Sequence, residues 1–219
     1  MNYLFFKRLF DIIISLIALP FVVLIIAIFA PIIYFTDRGP VFYNAPRLGK
    51  KGVIFTMYKL RSMRVNAPNI RNADGSTYNG EDDPRVTKVG RFIRKTSIDE
   101  LPQFLNVLKG DLSLIGPRAF MTTNYQGYDK LDEKRKRRLD VRPGITGYSQ
   151  AYFRNSITND QKIENDVYYV DHLSFGLDVK IFFKTIETVL RRKNIYVTPN
   201  VTGTNDPETG SNVEKAGMK

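Results

Sequence analysis

From Ile12 to Phe35 the chain carries no charged residue over about 24 positions. At about 1.5 Å per residue, a helix of that length reaches across a ~30 Å bilayer core. The run is longer than the apolar region of a secretory signal, and no small-x-small cleavage site follows it, so an uncleaved membrane segment is expected. Both of its flanks are basic: Lys7 and Arg8 precede it, and Arg38, Arg47, Lys50 and Lys51 follow. A crossing helix would concentrate its cations on one side. Pro20 lies inside the run and leaves the Leu16 carbonyl without its helical donor, and Ser15 stands nearby to satisfy a freed backbone group. A bend at Pro20 would give two arms of about one leaflet each. Crossing and dipping both remain open on these residues.

The 219 residues contain 33 Lys+Arg against 22 Asp+Glu, a formal charge of +11, so anionic partners are expected. Nucleic acid is disfavoured, because the basic stretches 85–95 and 133–138 hold only Phe92 for base stacking. Cysteine is absent and His172 is the lone histidine, which leaves oxygen ligands and hence Mg²⁺ or Mn²⁺ for any metal. His172 itself reads as structural.

After the membrane segment, Val41–Tyr43 and 53–57 read as the strands of a hairpin turning through 47–52. Residues 66–83 read as a mobile polar loop near the site, and 85–95 show helical spacing with one basic face. A helix is expected from about Leu101 to Lys109, stopped by Gly110, with a strand over 112–115. Lys134 to Arg138 form a basic run, read first as a solvated face and second as a lipid-headgroup contact. Residues 174–192 form an amphipathic helix that packs on the core or lies in the membrane interface. The tail from residue 198 is polar and expected to be disordered.

Chemistry concentrates at Asp99-Glu100. The neighbouring cations are expected to lower both carboxyl pKa values and keep both ionised. Ser97-x-x-Glu100 also fits a capping box, but Pro102 would then sit where its missing N–H breaks a helical bond. Proline favours the first helical position, which puts the carboxylates just ahead of the helix. Lys59 and Arg61, Arg118 in Gly116-Pro117-Arg118, and Arg142 in Arg142-Pro143-Gly144 are cations in glycine- and proline-bounded segments, suited to gripping phosphate.

Taken together, Lys7-Arg8-x-x-Asp11, Tyr58-Lys59-Leu60-Arg61-Ser62-Met63, Ser97-Ile98-Asp99-Glu100-Leu101-Pro102-Gln103, Asn106 to Asp111, Ile115-Gly116-Pro117-Arg118 and Arg142 to Gly147 resemble the monotopic phosphoglycosyl transferases, or bacterial sugar transferases. The resemblance implies an enzyme that moves a sugar-1-phosphate from a UDP-sugar onto polyprenol (undecaprenyl) phosphate and releases UMP. By that resemblance Asp99 is the nucleophile, Glu100 is its partner in holding Mg²⁺ (or Mn²⁺) or moving a proton, and Lys59, Arg94, Arg118 and Arg142 bind substrate. It also favours a re-entrant segment broken at Pro20. The sequence departs from the family pattern at Ala119, where a second proline is common, and at Leu19-Pro20, where a Ser-Pro pair is common. The implied fold is α+β. It comprises a membrane-embedded helix-break-helix at 1–36, a cytoplasmic catalytic domain at 37–197 with a small β-hairpin and amphipathic interfacial helices, and a tail at 198–219. The implied setting is the cytoplasmic face of a bacterial inner membrane, with membrane lipids as partners and a homo-oligomer compatible. The alternative is a non-catalytic membrane scaffold for glycan assembly.

Overall fold

In the computed structural model, residues 3–71, 78–123 and 125–191 are described; the tail from residue 198 and positions 72–77 of the polar loop lie outside them. The first element is one helix, α1 (Tyr3–Asp37), which continues through Pro20 and Pro31 without interruption. The break expected at Pro20 therefore does not divide the helix into two. A proline removes one backbone bond, but the turns on either side keep theirs, and no glycine or polar loop follows to end the run. In apolar surroundings an unpaired backbone group is costly, which favours continuing the helix. Among the described residues α1 is the one helix long and apolar enough to cross a membrane.

α1 is not free along its length. Asp11, Ser15, Val22 and Ile33 are buried, and Ile26 and Phe29 pack with Ile33 against Leu60 and Ile93. These positions recur at three- and four-residue steps or their sum, so they form one helical face. Near its start, Arg8 donates to the carbonyls of Val107 (2.6 Å) and Leu108 (3.1 Å), and Lys7 pairs with Asp178. Near its end, Arg61 pairs with Asp37 at 2.6 Å, and Phe29 stacks on Phe92. Both ends are thus fastened to the same body, while Leu16, Ile17, Phe21, Val23, Leu24 and Ile28 remain exposed.

β1 (Ala45–Leu48) lies between β2 (Ile54–Met57) and the two-residue β4 (Phe120–Met121), both antiparallel to it. The hairpin forms, but its first strand is 45–48 instead of 41–43. Gly49 N–H bonds the Val53 carbonyl at 2.8 Å, closing a short turn in which Lys51 and Gly52 both take positive φ. Because the turn fixes the register, Leu48 faces Ile54 and the strand extends backward only to Ala45. Tyr43 instead donates to the Lys59 carbonyl. β4 reaches only Arg47 and Leu48, so Pro46 sits where its missing donor is not needed.

A second sheet joins β3 (Ser113–Ile115) and β5 (Gly144–Thr146) in parallel. Around the sheets lie α2 (Lys88–Lys95), α3 (Gln103–Lys109), α4 (Glu133–Arg138), α5 (Tyr148–Tyr152), α6 (Asn159–Asp171) and α7 (Phe175–Arg191). Gly110 stops α3 at φ 93°, a left-handed conformation that side chains other than glycine's resist. α7 is two-sided: Ile181 is fully buried, while Phe182, Phe183, Ile186 and Leu190 stay exposed. The basic run on α4 is largely neutralised, with Lys134 paired to Glu164, Lys136 to Glu133, Arg137 to Asp140 and Asp171, and Arg138 to Asp166. That favours structural ion pairs over a lipid-headgroup contact. His172 stacks on Tyr168 and contacts its carbonyl, a structural role as expected.

Candidate active site

The segment before α3 is shaped by Ser97, whose φ of 58° is uncommon for a residue with a side chain. A single 3₁₀ turn follows over Ile98–Glu100, and Pro102 caps α3 at φ −58°. Ser97 makes no side-chain capping bond, so the capping-box reading does not hold. Pro102 sits at the helix entrance, where its lack of an N–H is harmless. The two carboxylates thus precede α3.

Asp99 is 3% exposed, and its carbonyl accepts the Leu60 N–H at 3.0 Å. Lys59 reaches both carboxylates, with Nζ 2.8 Å from Asp99 Oδ2 and 3.6 Å from Glu100 Oε1. Arg118 approaches Glu100 Oε1 at 3.6 Å from the more exposed side. Arg94 donates from Nε to Ser62 Oγ at 2.8 Å, and its charge acts on Asp99. Lys59, Arg94, Asp99, Glu100 and Arg118 are therefore brought together.

Burial pushes the Asp99 carboxyl above its usual range; Lys59 opposes this, and the Glu100 charge adds to it. For Glu100, burial works in the same sense, but Lys59 and Arg118 outweigh it and hold the carboxyl below its usual range. The expectation that both pKa values fall is therefore corrected for Asp99. The cause is its position: the inner carboxylate loses more water than one ammonium restores.

Arg142 lies elsewhere. Its Nε donates to the Gly110 carbonyl at 2.8 Å, beside Arg8, so it closes the C-terminal end of α3. α3 has seven residues, which separates Arg142 from the dyad by about 10 Å. Two further arginines escape sequence reasoning. Arg154, at φ 51°, lies close enough to Glu100 to feel its charge, and Arg47 on β1 stands beside Arg118. Neither belongs to a motif; tertiary packing brings them in.

Among the described residues no group of three or more His, Cys, Asp or Glu side chains could hold a metal ion. Asp99 and Glu100 supply two adjacent carboxylates, a donor set that fits a Mg²⁺ ion completed by other oxygen ligands.

A buried carboxylate, an ionised partner and a ring of cations are set on a body fastened along one long apolar helix, an arrangement suited to an anion at a membrane surface. The chain belongs to the bacterial sugar transferase family, whose sequence model matches residues 2–192. It is 44% identical to the galactosyl transferase CpsE of Streptococcus agalactiae serotype III (strain NEM316), over 86% of this chain and 43% of that protein. It is also 44% identical to EpsL of Bacillus subtilis (strain 168), named as an uncharacterized sugar transferase, over 90% of this chain and 93% of that protein. A third relative, from Aeromonas hydrophila, is named UDP-N-acetylgalactosamine-undecaprenyl-phosphate N-acetylgalactosaminephosphotransferase. It is 42% identical over 86% of this chain and 44% of its own length. The chain thus spans less than half of the Streptococcus and Aeromonas relatives and nearly all of EpsL.

Proposed function

We propose that this protein transfers a sugar-1-phosphate from a UDP-sugar to polyprenol phosphate, undecaprenyl phosphate in a bacterial membrane, and releases UMP. This would be the first membrane step of surface-glycan assembly. The observation that carries the reading is the buried Asp99 carboxylate, 2.8 Å from Lys59 and flanked by Glu100 and its Arg118 partner. Membership of the family and the name of the Aeromonas relative support the substrate class.

In the first displacement an Asp99 carboxylate oxygen attacks the β-phosphorus of the UDP-sugar. The bond from that phosphorus to the bridging oxygen breaks, UMP leaves with the electron pair, and an acyl phosphate remains on Asp99. In the second, a phosphate oxygen of the polyprenol phosphate attacks the same phosphorus. The Asp99–phosphorus bond breaks, and the carboxylate is restored. Lys59 favours the ionised Asp99 that attack requires. Arg94 and Arg118 meet the phosphate charge that would otherwise repel a carboxylate. Asp99 and Glu100 would hold Mg²⁺ or Mn²⁺, which when bound neutralises diphosphate charge. Arg142 acts through the end of α3 and not on the substrate.

The lipid acceptor requires the site to lie at the membrane surface. A re-entrant α1, bent within one continuous helix and entering and leaving on the cytoplasmic side, is supported by the attachment of both its ends to one body. A straight helix of 35 residues, about 52 Å long, could not cross a ~30 Å core with both ends so held. The exposed aromatic face of α7 would rest in the same interface. Residues 37–197 would form the catalytic domain at the inner membrane.

Purified protein with Mg²⁺, polyprenol phosphate and a panel of UDP-sugars should release UMP, and Asp99→Asn should abolish release without loss of fold. A folded, membrane-inserted protein that releases no UMP from any of the panel would end the enzyme reading. Full function of Asp99→Asn in cells would favour a scaffold. Cysteines at positions 2 and 45 should both be labelled from the cytoplasm; labelling from opposite sides would replace the dip with a crossing.

A further inference from the structure

We propose that Arg47, Gln103 and Arg118 form a phosphate subsite on the β1 side of the dyad, a site that takes an oxygen of a substrate phosphate. The inference rests on the transferase reading and adds to it a residue outside the motifs that define the site.

Arg47 projects from β1, where its register partners are Phe55 on β2 and Met121 on β4. It is half-buried and lines a small gap with Met57, Gln103, Arg118 and Gly144. Among the described residues its side chain makes no hydrogen bond and has no carboxylate at ion-pair distance. That sets it apart from the buried arginines Arg61, Arg85 and Arg138. Arg61 is paired with Asp37, Arg85 with Asp83, and Arg138 with Asp166. Arg47 is instead set beside a second cation, Arg118, with which it lines the same gap. A fold that withdraws a guanidinium from water usually supplies an anion to meet it. Here the described residues supply none.

Gln103 provides a second, independent sign. It is 3% exposed, yet among the described residues its amide side chain has no hydrogen-bond partner, and it lines the same gap. Buried amides are nearly always hydrogen-bonded. One unmatched guanidinium and one unmatched amide therefore converge on a space that Arg118, paired on its other side to Glu100, also lines. The gap has room for about one water-sized group, so a single phosphate oxygen fits where a whole sugar or base does not. Arg118 touches Glu100 at 3.6 Å on one side and neighbours Arg47 on the other. An anion held by both arginines consequently lies one guanidinium away from the dyad, where a phosphate that flanks the reacting phosphorus belongs.

Two substrate phosphates share this chemistry: the one that leaves on UMP and the one on the polyprenol acceptor. Arg47→Met in the full chain, reconstituted in nanodiscs with Mg²⁺, separates them. One arm measures exchange of labelled UMP into the UDP-sugar without acceptor; the other varies polyprenol phosphate at fixed UDP-sugar. A charge-assisted hydrogen bond is worth ~10–100-fold in binding. The expected result is a KM raised by about tenfold or more for one phosphate substrate only, with kcat within about threefold of wild type. Arg47→Lys should recover part of the loss. A rise for UMP and the UDP-sugar assigns the nucleotide phosphate, and a rise for the lipid assigns the acceptor. Both KM values within twofold of wild type, or a fall in kcat alone, would overturn the subsite. Calorimetric binding of UMP and of polyprenol phosphate, wild type against Arg47→Met, decides the matter even if wild type shows no turnover, in which case it is the transferase reading that fails. Gln103→Leu carries the same expectation should Arg47→Met not fold.

Discussion

The close parallel pairing of β3 and β5 makes Gly144→Ala a demanding test. A Cβ at Gly144 would fall 2.1 Å from the Gly116 nitrogen, 2.3 Å from the Thr146 oxygen and 2.7 Å from the Ile115 carbonyl carbon. Non-bonded heavy atoms settle at about 3.5–4.0 Å. All three neighbours are backbone, so no rotamer change relieves the clash and the strands must part. Gly144 is not among the residues with positive φ, so space and not conformation requires the glycine. Overpacking a core side chain costs ~1–3 kcal/mol, and a backbone collision belongs at or above the top of that range. At ~2–4 °C per kcal/mol for a chain this size, the midpoint should fall by about 6–12 °C. Gly144 N–H also bonds the Pro117 carbonyl at 2.9 Å, so parting the strands moves Arg118, and UMP release should drop with stability. Gly176→Ala is the control. Nothing lies within 4 Å of its Cβ, and removing a helical glycine gains up to ~1 kcal/mol, a rise of about 1–4 °C. Thermal unfolding by circular dichroism in nanodiscs reads both variants. A Gly144→Ala midpoint within about 2 °C of wild type, or both variants moving together, would refute the close-approach argument.

Lys59→Met removes the cation that opposes the burial of Asp99, so UMP release should fall roughly 100-fold and its acid limb should move to higher pH. An unmoved limb would mean that another group ionises Asp99. Asp83→Ala leaves Arg85, paired to it at 2.7 Å, as a buried uncompensated charge and should cost ~3–5 kcal/mol in chemical denaturation. Burial opposes ionisation of Asp83, but Arg85 prevails and lowers its pKa. Its stabilisation is therefore complete above the unfolded value of about 3.9 and is lost as pH falls through the lower folded value. The variant's stability should change less than wild type's across that acid window. Asp37→Asn loosens the α1 attachment at Arg61 and should raise KM for polyprenol phosphate more than it alters UMP exchange; equal losses would show that the contact serves folding alone.

Much of this was legible because some residues admit few conformations. Gly110 ends α3 as expected, since a left-handed stop is easily made only by glycine, and Pro102 moved the helix start past the dyad. The amphipathic pattern of 174–192 gave α7 to within a residue at each end. Other features depend on where the chain folds back. The hairpin register followed from a turn tightened by Lys51 and Gly52, which apolar runs do not reveal. The direction of the Asp99 shift depends on burial supplied by distant segments, and Arg142 was drawn from the dyad to the carbonyl of Gly110. Thr158-x-x-Gln161, which the sequence reading passed over, forms a capping box at the start of α6.

The segment from Tyr58 to Ser62 shows why the membrane helix and the chemistry are a single construction. Lys59 meets both carboxylates, Leu60 packs against Ile33 and takes its N–H bond to Asp99, and Arg61 holds Asp37 and the Ile33 carbonyl. Ser62 accepts from Arg94. Consecutive residues of an extended chain are ~3.3–3.6 Å apart, so the group that compensates Asp99 and the group that grips the end of α1 are separated by about 7 Å of backbone. With α1 in lipid as proposed, its depth would therefore set the height of the dyad above it. With Arg8 fixing the other end of α1 to α3, the dyad is held from both sides. On the proposed transferase reading a soluble nucleotide and a lipid phosphate must meet at Asp99, and buried contacts instead of a flexible linker would hold that aspartate at a fixed height.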